Sequence, residues 1–382
     1  MPAEGLHRPA WAEISRSALA HNIATIRSVV GEARICAVVK ANGYGHGAQL
    51  VAPALLEAGA DLLAVAIVDE GIELRDLGIT APILLLAEIP ANTLRVAMEH
   101  DLTLTVGSLA GARAVAEVAR ELGGTYRVHL KVDTGMYRQG VDPADALEAA
   151  QILATPHLSL EGIYTHFPVA DGVGEHDRVF TMNQIVTFTQ LVAALAAKGF
   201  RPPLVHLANS AGALGHLDSV AGLVRPGLAL YGYAPAGWLG DALASRGLRL
   251  RPAMTLRAHV VAARDVAAGE RPSYGRRQPL TVDSRIVTVP FGYADGYPRR
   301  LFDAGAYVLI DGQRFPLAGS VTMDQLLVNV GTADVNVGDD VVLLGRDGIF
   351  SVTAEDWAVW ASTITWEILC GISARVPRIL VD

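Results

Sequence analysis

Eight short β-rich runs, separated by helical patterns, constrain the fold of this chain more than any other feature. They are ICAVVK (35–40), DLLAVAIV (61–68), APILLLAE (81–88), LTLTVG (102–107), YRVHLKVDTG (126–135), LSLEGIYTHF (158–167), PLVHLANS (203–210) and LVRPGLALYG (223–232). Between them, segments 48–58, 69–77, 108–122, 142–154 and 177–199 place apolar residues at i, i+3, i+4 spacing among good helix formers. The first, fifth, sixth and seventh runs are nearly continuous in apolar character, as expected of strands covered on both faces. Strands and helices in this alternation favour a closed (β/α)8 TIM-type barrel, with an open doubly wound sheet as the alternative.

The texture changes near residue 240. Segment 235–252 is rich in Pro and Gly and reads as a loop, after which β-type runs dominate, including LRAHVVAARDV, RIVTVPFGY, AYVLI and LLVNV. Asp311-Gly312 is a hairpin signal. Thr353 with Asp356 forms a capping-box pattern ahead of one helix through DWAVWASTITWEILCGI. The expected α/β organisation is a barrel over 1–240 followed by a mostly β domain over 241–382, and a chain of 382 residues has room for both.

Composition removes other classes. Hydrophobic residues make up 51% and charged residues 18%, enough for a large core and too apolar for disorder. With 31 Lys and Arg against 39 Asp and Glu, the net charge of −8 argues against nucleic acid as a partner. A local phosphate site needs no such excess, because backbone amides can supply it. Cys36 and Cys370 offer no disulfide framework and no metal-ligand spacing. The opening MPAEGLHRPA lacks the apolar core of a secretory signal, and the apolar stretches break before the ~18 residues of a spanning helix. The expectation is a soluble, cytoplasmic protein without a membrane partner. No G-x-G-x-x-G follows the first run, which excludes dinucleotide binding of that type.

Barrel chemistry sits at the C-terminal ends of the strands. Lys40 ends the first run, and it is either a snorkelling rim lysine or an amine of lowered pKa that forms a Schiff base. Lys131 and Asp133 share a face by period-two alternation, with Arg138 just beyond. A buried ion cluster is one reading of the three. His166 closes the sixth run, His206, Asn209 and Ser210 the seventh, and Arg225 and Gly227 the eighth. Ser210 and the 226–228 backbone therefore follow strands 7 and 8, where barrels commonly hold a phosphate.

Together these segments resemble the alanine racemases, pyridoxal-phosphate enzymes that couple a barrel to a β domain. The resemblance runs in order through AWAEISRSALAHNI, VVKANGYGHG, KVDTGMYRQG, EGIYTHF, HLANSAG, VRPGLALYG, SYG, GYADGYPR, VTMDQ and WEILCGISARVPR. It implies that Lys40 holds pyridoxal 5'-phosphate as a Schiff base, that Tyr44, Ser210, Gly227 and Leu228 bind the phosphate, and that His166 packs on the ring. Arg138 would bond the phenolic oxygen, and Lys131 could be carbamylated and orient it. Arg225 would donate to the pyridine nitrogen. A guanidinium is a poor proton source, so the ring stays a weaker electron sink, which suits a racemase. Racemisation needs acid/base groups on opposite faces of Cα. Lys40 would serve one face and Tyr274, supplied by the partner in a head-to-tail homodimer, the other. His166 would support that tyrosine, linked onward to Arg225 and His206. Met323 and Asp324, also from the partner, would lie near the substrate carboxylate, and Tyr293, Arg299 and Asp171 along the path to the site.

Three positions depart from the family pattern: Trp366 where Tyr is usual, Ser320 in place of Arg, and Gly43 in place of Ala. An altered path either admits a side chain larger than methyl, serine for example, or changes only the rate of access. Two competitors remain: a decarboxylase of the same fold type and a vitamin-B6 carrier built on the barrel alone. Arg225, where a decarboxylase has an acidic residue, opposes the first, and residues 241–382 oppose the second.

Overall fold

The computed structural model describes residues 7–382. Its first strand is β1 (Ala10–Ser15), followed by eight strands that build the barrel. These are β2 (Arg34–Val38), β3 (Leu62–Val65), β4 (Ile83–Leu85), β5 (Leu104–Val106), β6 (Tyr126–Lys131), β7 (Leu158–Tyr164), β8 (Leu204–His206) and β9 (Leu223–Val224). They pair in parallel as β9-β2-β3-β4 and β5-β6-β7-β8. The parallel bridge Leu84↔Thr103 joins the two sets at one seam, and Arg225 N donating to Ala208 O at 2.9 Å joins them at the other. The eight-stranded barrel is therefore closed, and the open-sheet alternative is set aside. β3, β4 and β5 are buried along their whole length, as strands with helices outside and side chains inside must be.

Local chemistry sets the outer helices. Leu109–Leu122 starts where the Ser108 hydroxyl accepts from Gly111 N and ends at Gly123 in the left-handed region. Glu175–Ala197, after β7, has 23 residues and a mean hydropathy of 1.4 over its most apolar window, long and apolar enough to cross a membrane by length and composition alone. This corrects the expectation that no stretch reaches that length. Gln184 from this helix bonds the Thr134 hydroxyl and the His166 carbonyl, which ties it to the barrel. Segment 235–252, expected as loop, contains the helix Gly237–Ala244, whose apolar face was masked by its glycines.

The second unit continues with β10 (Met254–His259), β11 (Ala262–Val266), β12 (Ser284–Val289), β13 (Tyr307–Ile310), β14 (Gln313–Pro316), β15 (Leu326–Gly331), β16 (Asp340–Asp347), β17 (Phe350–Val352) and β18 (Arg378–Val381). One sheet runs β14-β13-β16-β10-β1-β18 with β17 beside β16, and a second runs β11-β12-β15. Asp311 and Gly312 turn the β13–β14 hairpin with φ of 47° and 65°, the positive values a tight two-residue turn requires. Thr353 and Asp356 do form a capping box, but the expected single helix is two, Ala354–Ala361 and Thr365–Gly371, separated at Ser362 with φ of 53°.

The boundaries also differ from a simple split at 240. One compact unit gathers β1 with the chain to Arg16, the four residues Tyr44–Gly47, and Pro252–Asp382. The other holds Ser17–Gly43 and Ala48–Arg251. β1 is captured because it pairs antiparallel with β10 and parallel with β18.

Candidate active site

Lys40 follows the buried Val39 at the end of β2, and the backbone then does something uncommon. Ala41, Asn42, Gly43, Tyr44 and Gly45 have φ of 52°, 54°, 62°, 52° and 80°, a left-handed turn. Each non-glycine residue in that region costs roughly 1–2 kcal/mol, so the turn persists only because its surroundings hold it. The Glu70 carboxylate accepts from Ala41 N at 2.6 Å and from Ala66 N at 2.8 Å. Asn42 Oδ1 accepts from Ala48 N at 2.8 Å, and Gly43 N donates to Val39 O at 2.8 Å. A Cβ on Gly43 would lie 2.6 Å from Val51 Cγ2, so the residue fits both its dihedral and its neighbour. Tyr44, grouped with the β unit, is buried, and burial pushes its phenol upward.

Across the barrel mouth stands a group of cations. Arg225, 3% exposed, donates to His206 Nδ1 at 2.7 Å, Thr165 O at 2.8 Å, Leu207 O at 3.1 Å and His166 Nδ1 at 3.4 Å. His206 meets His129 at 2.9 Å, and His129 reaches Glu161 at 3.4 Å. Burial first, then Arg225, holds both His166 and His206 well below the usual imidazole range, so both are neutral. Tyr164 is the platform under this group. It stacks on His206 with ring centroids 4.6 Å apart, lies 4.9 Å from the Arg225 guanidinium carbon, and donates to Leu86 O at 3.0 Å. Lys131 Nζ donates to the same carbonyl at 3.2 Å. Burial, then the Arg138 charge, brings its ammonium down to about 8. A narrow recess lined by Lys131, Asp133, Met136, Arg138 and His166 lies here. The Asp133 carboxylate is engaged by Gly135 N and Met136 N, both at 2.8 Å, so it shapes the loop, and no Lys131–Asp133–Arg138 ion cluster forms among the described residues.

Beyond strands β8 and β9, Ser210 and Gly227, two of the residues expected at a phosphate, come together. Ser210 Oγ accepts from Gly227 N at 2.8 Å, which leaves its own proton to donate. Asn209 caps the turn by accepting from Gly212 N at 3.0 Å, and Leu228 is buried beneath.

The remaining expected residues lie in the β unit, on adjoining loops. Tyr274 is 70% exposed and follows Ser273, whose φ of 68° with ψ of −177° is a conformation nearly confined to glycine. Ser273 Oγ donates to Ser320 O at 2.5 Å, and a Cβ on Gly319 would lie 2.5 Å from Pro272 O, so the two loops touch. Tyr293 N and Ala294 N donate to Thr322 O and Met323 O, both at 3.0 Å, which places Tyr293 beside exposed Met323 and Asp324. Arg375 holds Asp324 at 2.7 Å. Ser320 is buried, and its hydroxyl has no partner among the described residues.

Sequence reasoning missed His129, Glu161, Tyr164 and Glu70. The first had a signal, because period-two alternation puts it on the face of Lys131; Glu161 had none, because it occupies a bulge.

Known proteins resemble this chain over nearly its whole length. Residues 14–235 match the family model described as alanine racemase, N-terminal domain, and residues 253–380 the model of the C-terminal domain. An alanine racemase from Symbiobacterium thermophilum is 43% identical over 99% of this chain and 98% of its own length. The solved alanine racemase of Clostridium difficile 630 superposes with a TM-score of 0.91 at 37% identity, covering 98% of this chain and 96% of that one. A histidine racemase from Leuconostoc mesenteroides shares the fold at a TM-score of 0.90 and 31% identity, covering 98% and 99%.

Proposed function

This chain belongs to the alanine racemase family, and from that premise we propose that it is the isomerase that interconverts L- and D-alanine with pyridoxal 5'-phosphate. The observation that carries the reading is the donor set at the barrel mouth. Lys131, Arg138 and Arg225 form no ion pair with a carboxylate among the described residues, and two neutral imidazoles stand beside Arg225. A small molecule bearing phosphate, phenolate and carboxylate groups fits that chemistry.

When bound, the cofactor supplies an electron sink that acidifies the substrate Cα–H. The side chains do the rest. Lys40 would anchor the cofactor and exchange a proton with Cα on one face. The residues that would hold the phosphate are Tyr44, the Ser210 hydroxyl and the amides of Gly227 and Leu228. His166 would lie along the ring, Arg138 would bond its phenolic oxygen and the substrate, and Arg225 would donate to the pyridine nitrogen without giving up a proton. Lys131, brought to about 8, carries a share of neutral amine at physiological pH, the form that takes up carbon dioxide as a carbamate.

Tyr274 is the acid/base of the opposite face, reaching the barrel of a second subunit in a homodimer with shared active sites. Met323 and Asp324 bind the substrate carboxylate from the same side, with Tyr293 beside them. The exposure of Tyr274 and Met323, 70% and 53%, supports a role outside their own unit. The product serves peptidoglycan synthesis, and the enzyme works in the cytoplasm. A broader specificity is the second reading, favoured by the small Ser320 and by Trp366 where the family pattern has longer or phenolic side chains.

Incubation with L-alanine in D2O decides the matter. Deuterium at Cα together with D-alanine supports the reading, and faster turnover of L-serine moves the substrate assignment. Release of carbon dioxide without exchange overturns it.

A further inference from the structure

A fully buried guanidinium ordinarily requires a counter-charge. Among the described residues Arg225 has none in contact: its partners are two imidazoles and two backbone carbonyls. A line of hydrogen bonds leads from it to a carboxylate further on. Arginine can only donate, so His206 Nδ1 accepts, and its proton sits on Nε2. That proton goes to His129 Nδ1 at 2.9 Å, so His129 in turn carries its proton on Nε2 and donates to Glu161 Oε2 at 3.4 Å. The direction of every bond is fixed by an end that only donates and an end that only accepts.

Two features of β7 build the acceptor end. Val128 pairs with Leu160 and His129 with Gly162, so Glu161 is the extra residue of a β-bulge, a device that re-aims a side chain. Gly162 makes the space: a Cβ there would lie 2.5 Å from His129 Nδ1. Glu161 also feels Arg127 and Arg34, which lie at the starts of their strands, β6 and β2. The line therefore runs through the barrel interior toward the mouth opposite Lys40, where the Glu161 side chain is 26% exposed.

We propose that Glu161 is a positioning residue for Arg225, acting through His129 and His206. Its carboxylate is the distant accepting terminus that fixes both imidazole protons on Nε2 and so keeps His206 Nδ1 aimed at the guanidinium. The role presupposes the racemase reading above only where turnover is concerned.

The test uses holoenzyme with ring-15N histidine, read by long-range 1H–15N correlation alongside alanine racemisation. Wild type is expected to show His129 and His206 as Nε2–H tautomers with downfield, hydrogen-bonded protons. E161L is expected to move both protons upfield and lower kcat about 10-fold with KM within about 2-fold, the scale seen when outer partners of site residues are removed. G162A, with Glu161 intact, is expected to break the His129–His206 bond and reproduce the His206 change. E161Q retains shape and an acceptor but not charge, and should shift both protons part of the way and lower kcat about 3-fold; it carries the test if the other two do not fold. A merely structural glutamate would lower Tm and leave the His206 proton and kcat untouched, and that result overturns the proposal. So does a wild-type His206 protonated on Nδ1. Absence of alanine exchange in wild type would instead sink the racemase reading and leave the tautomer result standing.

Discussion

Several cations of the β unit are matched by carboxylates, whereas Lys131 and Arg225 at the barrel mouth form no ion pair among the described residues. Arg8 meets Asp295 at 2.5 Å, Arg277 meets Asp303 at 2.6 Å and Arg375 meets Asp324 at 2.7 Å. Each of these pairs ties a loop to its neighbour. Lys131 and Arg225 are both nearly buried, where an unmatched charge is costly, yet they lean on carbonyls, imidazoles and the Tyr164 ring. The contrast separates charges that finish a structure from charges held open for something the structure will receive. The exterior of the barrel unit carries matched pairs too, with Arg95–Glu121 and Arg113–Glu148 at 2.7 and 2.8 Å.

That contrast can be broken in several ways. The largest effect is expected at the anchor: K40A should lose about 10³-fold or more in turnover and its cofactor absorbance, seen in one titration with pyridoxal phosphate. Next, Y274F should cost about 10²–10³-fold in kcat with Tm unchanged, since the ring is exposed; retained activity would remove Tyr274 from the chemistry. R225K keeps the charge but cannot reach four acceptors, so urea unfolding should report a loss of about 2–4 kcal/mol.

Lys131 sharpens the comparison through pH. Its amine titrates at about 8 in the folded chain against 10.5 ordinarily, so the unfolded chain holds more protons between those values. Stability contributed by this group should therefore rise with pH across that window, and K131M should flatten the rise in Tm. The smallest effect belongs to a matched surface charge. R113A should change stability by less than about 1 kcal/mol and leave turnover alone.

Much of this was legible in the sequence. Strand runs with covered faces gave all eight barrel strands, and among the residues that end them Arg225 bonds His166 and His206 while Ser210 bonds Gly227. What stayed hidden depends on distance along the chain. β1 has no nearby partner, and only the register Ala10↔Ala258 and Ala12↔Arg378 makes it a strand of the β unit. The left-handed turn after Lys40 is held by Glu70, thirty positions on, which pattern reading cannot pair with it. Glu161 breaks the strand period, so alternation pointed elsewhere.

The placement of β1 bears on how the molecule is made. It lies between β10 and β18, and the parallel neighbour it needs is the last strand of the chain. During synthesis the barrel strands all emerge before either neighbour of β1 exists, so β1 waits first for β10 and then, with one edge still open, for β18. An inserted sequence at the front would act on the β unit, and a ribosome stalled before residue 378 would leave a barrel-forming segment trailing an exposed strand edge of the kind quality-control machinery recognises.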